Sequence, residues 1–272
     1  MTAIEEDSYP PAAHVLRDLR VEFEQRGDGT ASAWLPAVGW VRNPSGSVHA
    51  GVLATLVDLL GGGLAAVTVQ PDWIATADLT LHVLPRAAGD EVRASATVIH
   101  AGRRTAVMEV ELGDDRGPLG LATMSFARLP RRDANPVVAP SRGGGRATLM
   151  LASSGLSEPI VDRLGFAVRD PARGVTELAV TPYVSNSLGA VQGGVLATAA
   201  AVAADAALSV ACDAVVETCD LQVTYLALAK VGPVCTRATM LEATSVGGTC
   251  AVEVLDGDRV TTTVRAAATV PA

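Results

Sequence analysis

The chain has 272 residues, is 49% hydrophobic but only 3% aromatic, and carries a net charge of −8. That length suits one large domain or two small ones, and the acidic balance argues against non-specific nucleic-acid binding while leaving room for an anionic ligand at a local basic spot. Four cysteines, all in the second half, form no C-x-x-C pair and no zinc spacing with the histidines, so reduced thiols, no metal site and a cytoplasmic protein are expected.

In chain order, 12–19 reads as a short helix, 20–26 and 30–36 as a strand pair, and 50–69 as a long apolar helix. Strands follow at 75–84, 91–100, 104–113 and 119–129, with Val/Thr/Ala alternation and Gly- and Asp-containing turns. The segment 131–146, RRDANPVVAPSRGGGR, reads as a linker between an N-terminal unit at 1–130 and a C-terminal unit at 147–272. The same order then returns: a helix at 156–163, strands at 165–169 and 174–181, an apolar helix at 193–211, and strands at 217–226, 233–242, 248–256 and 259–270. The apolar stretches 50–69 and 193–212 approach the length of a membrane span. Their Gly, Ala and Thr content, with one Asp each, favours buried core helices and no membrane association.

The return is a duplication. NPSGSVHAGVLATLVD at 43–58 and NSLGAVQGGVLATAAA at 186–201 share the frame N-x-x-G-x-V-x-x-G-V-L-A-T. TADLTLHVL at 76–84 matches TCDLQVTYL at 218–226, and TAVMEVELGDD at 105–115 matches TCAVEVLDGDR at 249–259. One long helix and five or six strands per half predict an α+β fold, each half an antiparallel sheet wrapped around its helix. Pairing the halves side by side would bury more than either could alone.

These residues resemble the hotdog fold, and in detail the PaaI-type acyl-CoA thioesterases, whose pattern is N-x-x-G-x-x-H-G-G-x-x-x-x-L-x-D followed by a strand with S/T-x-D-L. The first copy supplies Asn43, Gly46, His49, Ala50, Gly51, Leu56 and Asp58, then Thr76 to Leu79; the second supplies Asn186, Gly189, Gln192, Gly193, Gly194, Ala199 and Ala201, then Thr218 to Leu221. The resemblance covers nearly the whole chain as two tandem hotdog units paired as a pseudo-dimer. It implies a thioester carbonyl held by a backbone N–H at a helix N-terminus, a carboxylate on a helix acting on it, acyl-CoA as substrate and no separate cofactor. It also implies a homo-oligomer, for which a trimer of double-hotdog chains would give six hotdogs. The Asp/His spacing of MaoC-type hydratases is absent.

Helix N-termini suit a developing oxyanion. Asp58, however, lies eight residues beyond Ala50, about 12 Å along the same helix, and cannot reach the start of its own helix. Antiparallel packing of the two helices would bring it to the other. One site would then join Asp58, as nucleophile or general base, to the Gly193 N–H, with Asn186, Gln192, Gly194 and Thr76 around the substrate. The other would join Ala201 to Ala50, with Asn43, His49 and Thr218, and has no acid: a vestigial site.

Bland readings stand beside these: Asn43 and Asn186 as turn residues, Thr76 and Thr218 as strand formers. Asp78 and Asp220 recur in both halves and read as structural. Asp205, four residues past Ala201, is an alternative acid. His14, His82 and His100 read as unpaired strand or surface residues, and Gly61 to Gly63 as a close helix crossing or an early helix end. Arg103 and Arg104, in a tight turn, are candidates for the CoA phosphates. A non-catalytic acyl-CoA or acyl-lipid binding module is the alternative to a hydrolase, since Gln192 stands where the family has His.

Overall fold

The computed structural model describes residues 9–132 and 145–271, so most of the expected linker at 131–146 lies outside the described residues. The chain runs α1 (Val15–Asp18), β1 (Glu22–Arg26), β2 (Thr30–Pro36), α2 (Ala50–Thr68), β3 (Trp73–Val83), β4 (Glu91–Ala101), β5 (Thr105–Asp114) and β6 (Gly117–Leu129). It continues through β7 (Ala147–Thr148), α3 (Ile160–Leu164), β8 (Ala167–Asp170), β9 (Val175–Leu178) and α4 (Gly193–Cys212). It ends with β10 (Glu217–Tyr225), β11 (Val234–Thr244), β12 (Gly247–Asp256) and β13 (Arg259–Thr269).

All strands join one antiparallel sheet in the order β7-β1-β2-β4-β5-β6-β3-β10-β13-β12-β11-β9-β8. Apart from β7, the two flanks repeat each other about the β3/β10 seam, where Leu81 faces Leu221 and Asp78 faces Thr224. The strands bury every second side chain, as in Ala106, Met108, Val110 and Leu112 of β5. Against that face lie α2 and α4, covered by sheet on one side and by each other on the other. This explains why both are apolar nearly all round, and full burial of a leucine such as Leu53 or Leu56 is worth roughly 1.5–3 kcal/mol. Both helices are long and apolar enough to cross a membrane, but 72% of each apolar window is buried within the fold.

The helices cross at the small residues of the repeated frame. A Cβ on Gly51 would stand 2.6 Å from Thr198 Cα, and one on Gly194 would stand 2.4 Å from Thr55 Cα. The two contacts are related by the repeat, so G-x-x-x-T is a crossing signature. The expectation that Gly61 to Gly63 form the crossing or end the helix fails on both counts. The helix runs on to Thr68, and a Cβ on Gly61 would meet Met124 of the sheet at 3.0 Å.

The units also interlock at their ends. The Val15 N–H donates to Tyr183 O at 3.1 Å, and β7 pairs with β1. Two histidines expected to be unpaired are not. His14 is buried; its Nδ1 accepts the Leu16 N–H and its Nε2–H donates to Ser185 O at 2.9 Å. His82 meets Asp220 across the seam, while Thr224 donates to Asp78 at 2.8 Å in the mirrored position. The recurrent aspartates are thus seam residues.

Candidate active site

The T-x-D segment of β3 carries a β-bulge. The register on β6 slips between Thr76 and Asp78, so these two side chains, which would share a face in a regular strand, point to opposite faces. Thr76 turns inward and donates to Asp58 Oδ1 at 3.2 Å, while Asp78 goes outward to Ser125 and Thr224. Strand β10 slips likewise between Thr218 and Asp220.

Asp58 projects from α2 to the start of α4, where the Gly194 N–H donates to its Oδ2 at 3.2 Å. Gly193, at the first helical position, has no intrahelical acceptor for its N–H. Its space is tight: a Cβ there would stand 2.9 Å from Asp58 Oδ2. Burial raises the Asp58 carboxyl to about 6, against the opposing hydrogen bonds from Thr76 and Gly194. A cavity of about 350 Å³ opens here, and Asp58, Thr76, Asn186, Gln192 and Gly193 all line it; Gly194, expected around the substrate, is outside the wall and holds Asp58 instead. The rest of the wall is mainly apolar, including Ile74, Leu196 and Leu228.

Asn186 also holds its own loop, its Oδ1 accepting the Leu188 and Ala190 N–H groups at 2.9 and 3.2 Å. Arg103 and Arg104 are exposed and outside the cavity wall. Thr105 pairs with Ala127, which pairs with Ala75 of the wall. The arginine turn therefore lies two strands away, roughly 10 Å at the usual spacing.

The mirrored cleft is built differently. Ala50 and Ala201 are buried. His49 is spent as a helix cap, its Nδ1 accepting the Gly51 N–H at 3.1 Å, and burial holds it neutral by lowering it to about 4. Asn43 donates to Ser47 Oγ at 2.9 Å. Where the first cleft has Ala75, the second has buried Glu217, whose carboxylate accepts from Ser45 N–H at 3.2 Å, Ser45 Oγ at 2.6 Å and Ser47 Oγ at 2.7 Å. Where the first has Gly62, the second has Asp205, which takes the hydrogen bond of Thr218 at 2.6 Å. Asp205 stands one turn, about 6 Å, beyond Ala201. Two small residues that line the open cavity, Gly62 and Ala75, are thus replaced by carboxylates at the mirrored positions.

Asp205 is raised to about 7, mainly by burial. A carboxyl whose folded value exceeds its unfolded value stabilises the fold fully below the unfolded value, near pH 4, and that contribution is lost as pH rises to about 7. Asp205→Asn, which still accepts from Thr218, is therefore expected to stabilise the protein at pH 8 by on the order of 2–4 kcal/mol. At pH 4 the gain should vanish. Urea unfolding at the two pH values checks this, and an equal effect at both would contradict it.

Sequence reasoning missed Tyr9, Tyr225 and Glu217. Tyr225 donates to Gly193 O at 2.9 Å and lines the cavity. Burial and the negative charge of Asp58 push its phenol well above its ordinary value. Tyr225 and Glu217 were visible as asymmetries of the aligned repeats, against Val83 and Ala75. Tyr9 precedes the repeated frame, and alignment of the halves offered no signal for it.

The family model of the Thioesterase superfamily matches residues 45–121 and 188–263, one segment in each unit and together more than half the chain. Over 115 residues the chain is 29% identical to PA1618 of Pseudomonas aeruginosa, named as an esterase, covering 41% of this chain and 79% of that protein. A structure assigned as an oleoyl thioesterase from Lactobacillus plantarum aligns with a TM-score of 0.61 at 14% identity, over 89% of this chain and 96% of that one. An acyl-ACP thioesterase from Bacteroides thetaiotaomicron gives 0.59 at 13% identity, over 88% and 97%. These two likenesses speak to the fold, which they match over most of the chain. With a superfamily segment in each half, the chain belongs to the thioesterase superfamily and is a thioester hydrolase built as two hotdog units in tandem.

Proposed function

We propose that the chain hydrolyses acyl-CoA thioesters to a carboxylic acid and free CoA, at one working cleft per chain. The observation that carries the reading is the meeting of Asp58 from one unit with the N-terminus of α4 from the other, inside a mainly apolar cavity. The thioester oxygen lies on the Gly193 N–H, where the helix dipole and an unpaired donor stabilise negative charge as the carbonyl carbon becomes tetrahedral. Asp58 acts as the carboxylate. As general base it takes a proton from water while the water oxygen bonds to the carbonyl carbon. As nucleophile it bonds to that carbon itself, and water then cleaves the anhydride. In either route the C–S bond breaks and CoA leaves as the thiolate, which is then protonated. Thr76 orients Asp58, and Arg103 and Arg104 meet the phosphates of CoA. Cleft two, with Ala201 in place of the acid and Glu217 within it, turns nothing over. We place the protein in the cytoplasm, where acyl-CoA is found and its four free thiols stay reduced.

The test is thiol release from a panel of acyl-CoA esters of rising chain length. Hydrolysis of at least one ester is expected, with kcat/KM rising about tenfold per pH step below about 6 and levelling above it, because the working form of Asp58 is ionised. Binding of CoA esters without turnover across the panel would overturn the reading.

A further inference from the structure

Gln192, the residue before the α4 N-terminus, caps nothing with its side chain. Its amide Nε2–H donates instead to the hydroxyl of Tyr9, from the far end of the chain. The phenol accepts there, so its own proton remains available to a second acceptor. Tyr9 is held through the two prolines that follow it and through its ring. The guanidinium of Arg17, 1% exposed, donates to the carbonyls of Pro10, Pro11 (2.8 Å) and Leu149 (2.5 Å). The Tyr9 ring stands edge-on to His14, with centroids 5.4 Å apart, and His14 is tied to Ser185 O immediately before Asn186. A buried cation whose hydrogen bonds all go to backbone carbonyls is costly to keep; here it fastens the N-terminal segment over the start of α4. Tyr9 keeps 40% of its surface exposed, yet desolvation of the phenol first and the Asp58 charge second raise it above its ordinary value, so it stays protonated at any working pH.

We propose that Tyr9 is a further catalytic residue: its O–H, aimed by the Gln192 amide at the start of α4, donates to the thioester oxygen beside the Gly193 N–H. The inference rests on the reading of the cleft as a thioesterase site. It gives Gln192 a task, namely orienting a second oxyanion donor. It also explains why Tyr9 of the N-terminal unit reaches Gln192 of the other. Among the described residues cleft two shows no such pair, and His49 is committed to capping its own helix.

The experiment measures steady-state kinetics of Tyr9→Phe, Gln192→Ala and the double variant in the full chain, with thermal midpoints to confirm folding. Phe keeps the ring against His14 and removes only the hydroxyl. The expected result is a kcat lower by about 100-fold, the usual effect of losing one oxyanion donor, with KM within threefold. The double variant should be no worse than Tyr9→Phe alone, because Gln192 acts through Tyr9. A purely structural role would lower the midpoint, or raise KM, and leave kcat alone. A folded Tyr9→Phe with kcat within threefold of wild type overturns the proposal. If wild type ignores acyl-CoA but cleaves N-acetylcysteamine thioesters, the CoA assignment fails while the Tyr9 comparison runs unchanged on those thioesters.

Discussion

Asp58→Asn is expected to lower kcat/KM for acyl-CoA by roughly 1,000-fold or more, and to make the protein more stable. The first effect follows from chemistry. Asn has the same shape, and its Oδ1 can still accept a hydrogen bond from the Gly194 N–H or the Thr76 hydroxyl, so the cleft keeps its form. It cannot ionise, and it can neither take a proton from water nor attack a carbonyl. Loss of a general base alone typically costs about 100- to 10,000-fold. The second effect follows from burial. A carboxyl held at about 6 contributes stability that is present below pH 4 and lost as pH rises through 6. At pH 8 wild type therefore carries a buried carboxylate at a cost on the order of 2 kcal/mol, which Asn does not. Opposite signs for activity and thermal midpoint are the signature of a site that trades stability for function. A variant with a tenth or more of wild-type activity would remove Asp58 from the mechanism.

Gly51→Ala is expected to be among the most damaging single changes outside the cleft chemistry. The added Cβ would stand 2.5 Å from Thr198 Oγ1 and 2.6 Å from Thr198 Cα, so α2 and α4 must separate. Overpacking of this kind costs about 1–3 kcal/mol, and here the obstacle is backbone, which cannot rotate away. Separation also carries Asp58 away from Gly194, so activity should fall along with stability. Gly62→Ala is the contrast. A Cβ there has nothing nearer than Phe126 Cε1 at 3.8 Å, and the helix gains about 0.5–1 kcal/mol over Gly. Denaturant unfolding of the pair decides the point. If Gly51→Ala unfolds at the wild-type midpoint, the helices are not held at the close crossing.

The repeat made the fold readable. Alternation every second residue, turn residues between strands and two apolar runs of helical length placed nearly every element within a few residues, because those signals are local and appear twice. Helix rise alone forbids Asp58 from serving its own N-terminus, so the partnership of the two halves is legible in the sequence. The details that decide the site were not local. The bulges that turn Thr76 and Thr218 inward depend on the neighbouring strand. The crossing at Gly51 and Gly194 depends on which face of α2 meets α4. Tyr9 reaches Gln192 across 183 positions of sequence because a buried arginine folds the segment back.

The sequence by itself determined the duplication, the α+β class and the loss of one acid, since each is a pattern of residue types along the chain. Only the tertiary structure decided that Gly194, rather than Gly193, donates to Asp58, that Glu217 occupies the mirrored cleft, and that Asp205 has taken Thr218. Those outcomes turn on distances of a few ångströms between groups far apart in sequence. Such distances are set by how two helices and one continuous sheet pack together, and no local pattern encodes them.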